Sequence, residues 1–297
     1  MKRPDNKIQR VGIVANSRKI CSREVVRKAA KLIVRSGREV LTEIATAKLA
    51  GLATTTLADA ASLTREVDLV LVFGGDGTML RMARDTAGSR TPLLGINVGA
   101  LGFLTDVPSW DLPRALQQVW HGDFRLESRA LIEASVVCQG QCFRSSAFNE
   151  FVMSRHMVSR LIELEATVDG EVLTRYRGDG LIISSPTGST AYSLAAGGAV
   201  VYPTAEVFTL TPICPHTLSN RSVIVNLSST IQVKVLSQKP ETVFSGDGQN
   251  GRTLNAGDVV TIRRSRHSVR LIHLTGASFF ETLRHKLHWS GSNIPAK

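Results

Sequence analysis

The hydrophobic pattern changes near residue 125, and this change restricts the possible fold more than any other feature of the sequence. Before it, short continuous apolar runs alternate with amphipathic stretches; after it, closely spaced β-like runs fill the chain. Continuous apolar strands separated by helices are typical of a parallel sheet covered on both faces, and regularly spaced short strands are typical of an all-β domain. We therefore predict an α/β domain with a parallel, Rossmann-like sheet over residues 1–125 and an all-β, sandwich-like domain over residues 126–275.

The individual elements follow from the same pattern. A helix is predicted over 22–37, with Ser22 as its N-cap and Gly37 just past its end. A closing helix is predicted over 278–289, where Ser278 and Glu281 have the spacing of a capping box, and it belongs to a C-terminal segment of 276–297. The predicted strands of the first domain are 11–16, 38–44, 68–73 and 92–97.

The composition fits a folded protein of the cytoplasm. Hydrophobic residues make up 43% and charged residues 21% of the 297 residues, which is ordinary for a globular chain. No stretch approaches the roughly 18 apolar residues of a membrane span, and the first ten residues lack the apolar core of a signal peptide. Four scattered cysteines are too few for a disulfide framework, so we expect a reducing compartment.

The net charge of +11 allows a nucleic acid, a membrane surface or an anionic small molecule as partner. Aromatic residues are sparse at 5%, and no nucleic-acid motif accompanies the charge. We expect neither a nucleic-acid nor a membrane partner.

A glycine run follows the predicted strand 68–73. Ligands of parallel sheets lie at the carboxyl ends of the strands, and Gly74, Gly75 and Gly77 stand there, directly before a predicted helix. We expect Gly74 and Gly75 to use backbone angles closed to other residues and to present amides to an anion such as phosphate.

Asp76, within this run, has two interpretations. Its carboxylate could accept a proton from a hydroxyl nucleophile or contact Mg²⁺ beside phosphates. Alternatively it could cap the following helix, since aspartate is among the best N-cap residues. We favour the functional interpretation.

A second unusual stretch, residues 176–198, is rich in glycine, serine and threonine and contains no Lys or Glu. Its composition suits a backbone lying against a polar, planar ligand, with hydroxyls and amides as hydrogen-bonding groups. A surface loop is the alternative, but the apolar runs on both sides favour a binding segment.

Other site types match poorly. The chain has no Gly-Lys pair, which excludes a Walker loop, and the G-x-G-x-x-G match at 246–251 lies among β runs rather than before a helix. Cys138, Cys142, Cys214 and His216 lack the usual zinc spacings. We therefore predict no metal site built from these side chains.

Taken together, these motifs resemble the bacterial branch of the NAD kinase family. The resemblance is carried, in the order of that family, by GGDGTML, NVGALGFLTD, the Asn149-Glu150 pair, RGDGLIISSPTGSTAYSLAAGG, PHTLSNRSVIV and DGQ. The PTGSTAYSLAAGG segment is the most specific of these, because GGDGT also occurs in lipid kinases.

The resemblance implies Mg²⁺-dependent (or other divalent-metal-dependent) transfer of the γ-phosphate of ATP to the 2′-hydroxyl of the adenosine ribose of NAD, giving NADP and ADP. By this likeness Asp76 is the catalytic base. Gly74, Gly75, Thr78 and Asn97 would lie around the phosphates of ATP. The site would lie between the two domains, the C-terminal segment would return toward the first domain, and the family implies a homodimer or homotetramer.

The residues that this resemblance assigns to NAD binding are Asp76, Gly77, Arg81, Asn149, Glu150, Arg160, Arg177, Asp179, Thr190, Ala191, Tyr192, Ser193, Leu194, Ala195 and Gln249. Asn149 and Glu150 would hold the adenosine. The sequence departs from the family pattern at Ser222, where proline is usual.

Three other functions would account for some of these features. A lipid kinase would keep GGDGT but replace the polar stretch 185–193 by an apolar pocket. A regulator that senses NAD or NADPH without turnover would have little need of Asp76. An RNA-binding module is disfavoured by the missing aromatic residues.

Overall fold

The computed structural model describes residues 8–16, 22–138, 141–156, 161–217, 219–238, 242–276 and 278–289. The chain forms two compact units. Unit 1 contains Met1–Ser128 and Val269–Lys297, and unit 2 contains Arg129–Ser268.

Unit 1 begins with alternating strands and helices. Its elements are β1 (Arg10–Ala15), α1 (Ser22–Arg35), β2 (Glu39–Glu43), α2 (Ile44–Ala50), β3 (Thr55–Leu57), α3 (Ala60–Glu66), β4 (Leu69–Gly74), α4 (Asp76–Asp85), β5 (Leu93–Asn97), β6 (Val107–Pro108) and α5 (Leu112–His121).

The strands of unit 1 form a parallel sheet in the order β3-β2-β1-β4-β5, with β6 also parallel to β5. The six residues of β4 are all buried, as expected for a strand covered on both faces. The hydrophobic core of unit 1 contains Val11 and Ile13 of β1, Leu71 of β4 and Ile33 of α1. The predicted α/β fold with a parallel sheet is confirmed.

Two local predictions in unit 1 need correction. Ser22 is the first residue of α1 rather than its N-cap, and its side chain is buried. The predicted strand 38–44 is one residue too long at each end, since β2 covers Glu39–Glu43. At its C-terminal end the strand stops because α2 starts directly at Ile44. Gly37 lies past the end of α1 with φ +77°, as predicted.

Unit 2 consists mainly of strands. Its elements are β7 (Phe124–Cys138), which begins in unit 1, then β8 (Gln141–Ala147), β9 (Glu150–Arg155), β10 (Ile162–Val168), β11 (Glu171–Gly178), β12 (Gly180–Ser184), α6 (Tyr192–Ala195), β13 (Val207–Ile213), β14 (Val223–Asn226), β15 (Ile231–Val235), β16 (Thr242–Gly246), β17 (Gln249–Leu254) and β18 (Val259–Leu274), which ends in unit 1.

The strands of unit 2 pair antiparallel. One sheet has the strand order β14-β13-β12-β9-β16-β17. A second sheet contains the run β11-β10-β15-β18 and the β7-β8 pair. Side chains from both sheets share one core, for example Phe151 and Ile183 from the first and Leu164 and Val233 from the second. The prediction of an all-β domain of sandwich type is confirmed.

The C-terminal helix α7 (Phe279–Leu287) belongs to unit 1. Its N-cap is Ser278, whose side chain accepts a hydrogen bond from the amide of Glu281 at 3.4 Å, as the capping-box spacing predicts. Within the described residues, no helix combines the length and apolar character that crossing a membrane requires.

Candidate active site

The glycine run lies where β4 ends and α4 begins. Gly74 is the last residue of β4, Gly75 is the N-cap of α4, and Asp76 is its first residue. Gly74 pairs directly with Asn97, the last residue of β5, so two neighbouring parallel strands end side by side here. This is the edge of a parallel sheet at which ligands bind.

Asp76 does not cap the helix. Its carboxylate accepts hydrogen bonds from the backbone amides of Phe103 and Leu104, at 2.9 and 3.0 Å, and the Thr105 hydroxyl lies 3.5 Å from Oδ1. These donors come from the loop 98–106, which follows β5. Because these amides belong to a separate loop, that loop sets the orientation of the half-buried carboxylate. The N-cap of α4 is Gly75 and no side chain caps this helix, so the helix-cap interpretation is wrong.

Two glycines let the loop 98–106 approach. A Cβ at Gly102 would overlap Oδ1 of Asp76, and a Cβ at Gly95 would lie 2.5 Å from the carbonyl oxygen of Leu104. Since real Cβ atoms do not come so close to other heavy atoms, the packing of the loop on β5 and on Asp76 depends on these two positions.

The glycines of this run do not have the unusual backbone angles that the sequence led us to expect. The φ of Gly75 is −123°, and neither Gly74 nor Gly77 has a positive φ, so unusual backbone angles do not explain these residues. A Cβ at Gly74 would overlap the side chain of buried Thr78, which means that internal packing requires this glycine. A Cβ at Gly75 or Gly77 would meet no atom of the described residues within 4 Å, apart from the adjoining backbone. These two positions leave space for a ligand.

Asn97 shapes the loop after β5. Its side-chain amide donates to the carbonyl of Ala100 at 2.7 Å and to the Thr105 hydroxyl at 2.9 Å, and its Oδ1 accepts from the amide of Gly99 at 2.7 Å. Asn97 therefore holds the start of the loop that orients Asp76.

Arg81 lies one turn into α4. Its guanidinium forms an ion pair of 3.3 Å with Glu43, which ends β2 and is buried. This pair places a cation near the carboxyl edge of the parallel sheet.

In unit 2, the Asn149-Glu150 pair is held by a carboxylate. Asp247 Oδ1 accepts from the amides of Asn149 and Glu150, at 2.8 and 3.2 Å, and Oδ2 accepts from that of Phe148 at 3.0 Å. Asp247 itself has φ +46°, in the turn between β16 and β17. Three amides on one carboxylate fix the backbone that presents Asn149 and Glu150.

Glu150 has an unusual environment. It is 6% exposed, and its Oε2 has no hydrogen-bond partner among the described residues. Burial, together with the negative charge of Asp247, raises the pKa of Glu150 to about 8. At neutral pH the group is therefore mostly a neutral carboxyl, which can donate as well as accept a hydrogen bond.

The predicted binding segment 176–198 packs against this pair. The amide of Ser185 donates to the carbonyl of Asn149 at 2.8 Å, and its hydroxyl donates to the carbonyl of Phe148 at 2.6 Å. A Cβ at Gly188 would overlap the Asn149 carbonyl. The structure thus brings together two motifs that lie 35 residues or more apart along the chain.

The later part of this segment forms a 3₁₀ helix, Thr187–Thr190, followed by the short helix α6. The Ser193 hydroxyl lies 2.9 Å from that of Thr211, which lies 2.9 Å from that of Ser222. Ser222, which stands where proline is usual in the family, thus joins a hydroxyl chain. The remaining predicted residues of the segment are partly or fully exposed: Thr190, Ala191, Tyr192, Leu194 and Ala195.

Three further predicted residues lie among the described residues: Asp179, Arg177 and Gln249. Asp179 forms a bidentate pair with Arg155, at 2.9 and 3.2 Å, whereas exposed Arg177 lies 3.6 Å from Glu163. Gln249 is exposed at the start of β17. Arg160 lies outside the described residues.

Sequence reasoning missed the groups that orient the predicted side chains. These are the amides of Phe103 and Leu104, with Gly102 beside them, and the carboxylate of Asp247. The sequence offered a signal for Asp247, because Asp-Gly between two β runs is typical of a tight turn. It offered none for the two amides, since every residue other than proline has one.

Comparison with known proteins identifies the family. The ATP-NAD kinase N-terminal domain matches residues 11–124, and the ATP-NAD kinase C-terminal domain matches residues 148–274. An NAD kinase of Polaromonas naphthalenivorans is 41% identical over 270 residues, which is 91% of this chain and 92% of that one. An NAD kinase of Syntrophotalea carbinolica is 42% identical over 232 residues, 78% of this chain and 81% of its own.

Solved structures agree in fold. The yeast NADH kinase complexed with NADH superposes with a TM-score of 0.89 at 25% identity, covering 99% of this chain and 91% of that one. An NAD kinase from Archaeoglobus fulgidus, in complex with ATP, superposes with a TM-score of 0.74 at 24% identity, covering 95% and 100%. From both domain matches and relatives of this identity, the chain belongs to the ATP-NAD kinase family of enzymes.

Proposed function

We propose that this chain transfers the γ-phosphate of ATP to the 2′-hydroxyl of the adenosine ribose of NAD, with NADP and ADP as products. The observation that carries this proposal is the carboxylate of Asp76. It lies at the sheet edge beside the open positions Gly75 and Gly77, and two backbone amides orient it. Membership of the ATP-NAD kinase family supplies the two substrates.

In this reaction Asp76 accepts the proton of the ribose hydroxyl. As that O–H bond breaks, the oxygen forms a bond to the γ-phosphorus of ATP, and the bond from this phosphorus to the bridging oxygen of ADP breaks. A ribose hydroxyl is a weak nucleophile, so orientation and proton removal must supply much of the rate enhancement. The bonds from Phe103 and Leu104 meet the first requirement, because they restrict rotation of the carboxylate.

The phosphates would approach at the start of α4. The first amides of a helix have no partner within the helix and stabilise an anion there. Gly75 and Gly77 leave room for such an anion, while Gly74, Thr78 and Asn97 would shape the backbone around it. The net charge of +11 would speed the arrival of NAD and ATP, which are both anions.

Asn149 and Glu150 would hold the adenosine of NAD. A neutral, buried Glu150 can donate to one hydroxyl oxygen and accept from another, which suits a ribose. The other residues proposed to contact NAD are Asp76, Gly77, Arg81, Arg160, Arg177, Asp179, Thr190, Ala191, Tyr192, Ser193, Leu194, Ala195 and Gln249.

We propose Mg²⁺, or another divalent metal, as the cofactor. Among the described residues, no group of three or more His, Cys, Asp or Glu side chains could hold a metal ion. Mg²⁺ commonly binds through one or two carboxylates together with substrate phosphates. When bound, the ion would neutralise charge on the transferring phosphate.

Three further properties belong to this proposal. We expect a homodimer or homotetramer, which light scattering after size exclusion would measure. We expect a cytoplasmic location, because the four scattered cysteines suit a reducing compartment. The functional domains would be 1–125 and 126–275, followed by the C-terminal segment 276–297, with no nucleic-acid partner.

A coupled assay tests the reaction. The purified protein is incubated with NAD, ATP and Mg²⁺, and NADP is detected with an NADP-specific dehydrogenase. NADP that appears only when all three are present supports the proposal. NAD binding without NADP formation would favour the sensing regulator, and phosphorylation of a lipid in place of NAD would favour the lipid kinase.

A further inference from the structure

A buried ionic cluster lies at the end of β18 in unit 1. Nδ1 of His273 lies 2.6 Å from Oδ2 of Asp106, and Nε2 lies 3.6 Å from Oε1 of Glu127. The exposed fractions of these three side chains are 9%, 18% and 11%. Nothing in the proposed reaction uses this cluster directly.

The histidine in this cluster is a cation at neutral pH. Burial by itself lowers the pKa of His273, but the hydrogen bond to Asp106 and the nearby Glu127 outweigh burial and raise the pKa to about 9. Compared with well-packed apolar side chains of similar volume, a buried ion pair gives little net stability, because desolvation cancels much of the attraction. A role in fixing one local geometry is therefore a better explanation than stability alone.

The position of Asp106 shows that the geometry fixed by this cluster is that of the loop 98–106. Asp106 ends the loop 98–106, two residues after Leu104, whose amide donates to Asp76. Asn97 holds the other end of the same loop through three hydrogen bonds. The loop is thus held at both ends, and the amides that orient Asp76 lie close to the His273 end.

A second contact comes from the same C-terminal part of the chain. The ring of Phe279, in α7, lies 6.4 Å from that of Phe103, centroid to centroid. Phe103 supplies the other amide that donates to Asp76. Residues that follow β18 therefore pack on the loop from one more side.

We propose that His273 is a positioning residue for phosphoryl transfer, which acts by holding Asp106 and thereby the two amides that orient Asp76. The inference rests on the proposed function for its effect on catalysis. Its structural part, the order of the loop, does not depend on that function and can be measured separately.

The test compares four variants with the wild type. His273→Leu removes both polar contacts at similar volume, whereas His273→Gln retains an amide that can donate to Asp106. Asp106→Asn removes the negative charge but keeps an acceptor. Ile272→Val is the matched control, because Ile272 is buried beside His273 in β18 and belongs to the hydrophobic core.

Two measurements are made on each variant. Hydrogen exchange reports the protection of the Phe103 and Leu104 amides, and the coupled assay reports kcat and KM for NAD and ATP. In His273→Leu we expect exchange of these two amides to rise at least about tenfold. We expect kcat to fall by about tenfold or more, with both KM values within about twofold of wild type.

The conservative variants sharpen the result. In His273→Gln and Asp106→Asn, both the exchange rate of the two amides and kcat should lie between the values of the wild type and of His273→Leu. Ile272→Val should leave the exchange of these amides and kcat within about twofold of the wild type, even if its Tm falls as far as that of His273→Leu. Unchanged protection of the two amides in His273→Leu would overturn the inference, as would a loss of kcat no greater than that of Ile272→Val. If the wild type forms no NADP, the proposed function fails, while the exchange measurement still decides whether His273 orders the loop.

Discussion

Gly102 lies so close to Asp76 that a Cβ at Gly102 would overlap Oδ1 of the carboxylate. The close approach lets the amides of the next two residues, Phe103 and Leu104, donate to Asp76. The proposed base is therefore oriented by a loop that begins 22 residues after it, at Val98.

Asp76→Asn should abolish most of the activity. The amide side chain has nearly the same shape but cannot accept the ribose proton, so we expect kcat to fall by about 10²–10⁴-fold. The coupled assay measures this loss, and calorimetric titration should show NAD still binding. Asp85→Asn, at the exposed end of the same helix, is the control and should retain full activity. An Asp76→Asn enzyme of wild-type kcat would rule out Asp76 as the base.

Gly102→Ala should displace the carboxylate of Asp76 or the loop that holds it. We expect kcat to fall by about 10–100-fold, because a small misplacement of a catalytic group is costly. Overpacking should also lower the free energy of unfolding by about 1–3 kcal/mol. In the control Gly251→Ala, the new Cβ would meet only Val243, at 3.2 Å. If crystals of Gly102→Ala showed Asp76 unmoved with normal kcat, this account of the loop would be wrong.

Glu150→Gln should change how stability depends on pH. Folding raises the pKa of Glu150 from 4.5 to about 8, so the folded state of the wild type loses stability as pH rises from 4.5 through 8. Glutamine does not ionise. We therefore expect the stability of the variant to rise relative to that of the wild type across this range, by roughly 4–5 kcal/mol near pH 8.5.

Urea unfolding at a series of pH values measures this difference in free energy. The control is Glu171→Gln, an exposed position at the start of β11, which should show no such trend. A difference between Glu150→Gln and wild type that stayed constant from pH 5 to 8.5 would contradict the buried, neutral carboxyl.

His273 should show its own pH dependence of stability, set by the groups around it: Asp106, Glu127 and, beside Glu127, Arg125. Folding raises the pKa of His273 from 6.5 to about 9. The stabilisation is therefore fully present below pH 6.5 and is lost as pH rises through 9, and its full size is about 3 kcal/mol.

The comparison of His273→Gln with the wild type measures this effect, again by urea unfolding. We expect the wild type to be favoured most below pH 6.5 and its advantage to disappear above pH 9. His121→Gln, at the exposed end of α5, is the control. If the advantage of the wild type grew with pH, the sign of the proposed interaction would be reversed.

Sequence reasoning succeeded where the physical signal is local. The continuous apolar run of β4 predicts a strand covered on both faces, and all six of its residues are buried. The spacing of Ser278 and Glu281 predicts the cap of α7, which forms. The family was also identified correctly, because its motifs are contiguous stretches of sequence.

Sequence reasoning failed where the residue that a side chain or glycine contacts could not be read from a local pattern. Gly74 was expected to adopt unusual backbone angles, yet its lack of a side chain is required by the packing of Thr78. The partners of Asp76 are 27 and 28 residues away, and Asp106 and His273 are 167 residues apart. No local pattern indicates such pairs.

The sequence by itself therefore determined the two fold classes, the family and the residue types available for phosphoryl transfer, since periodicity and motifs are written along the chain. Only the tertiary structure decided how these residues are held. Asp76 could be a helix cap or a free carboxylate until the loop after β5 lies beside it, and Glu150 could be an ordinary anion until burial beside Asp247 makes it neutral. Orientation and desolvation depend on atoms brought together by folding, and these atoms come from distant parts of the chain.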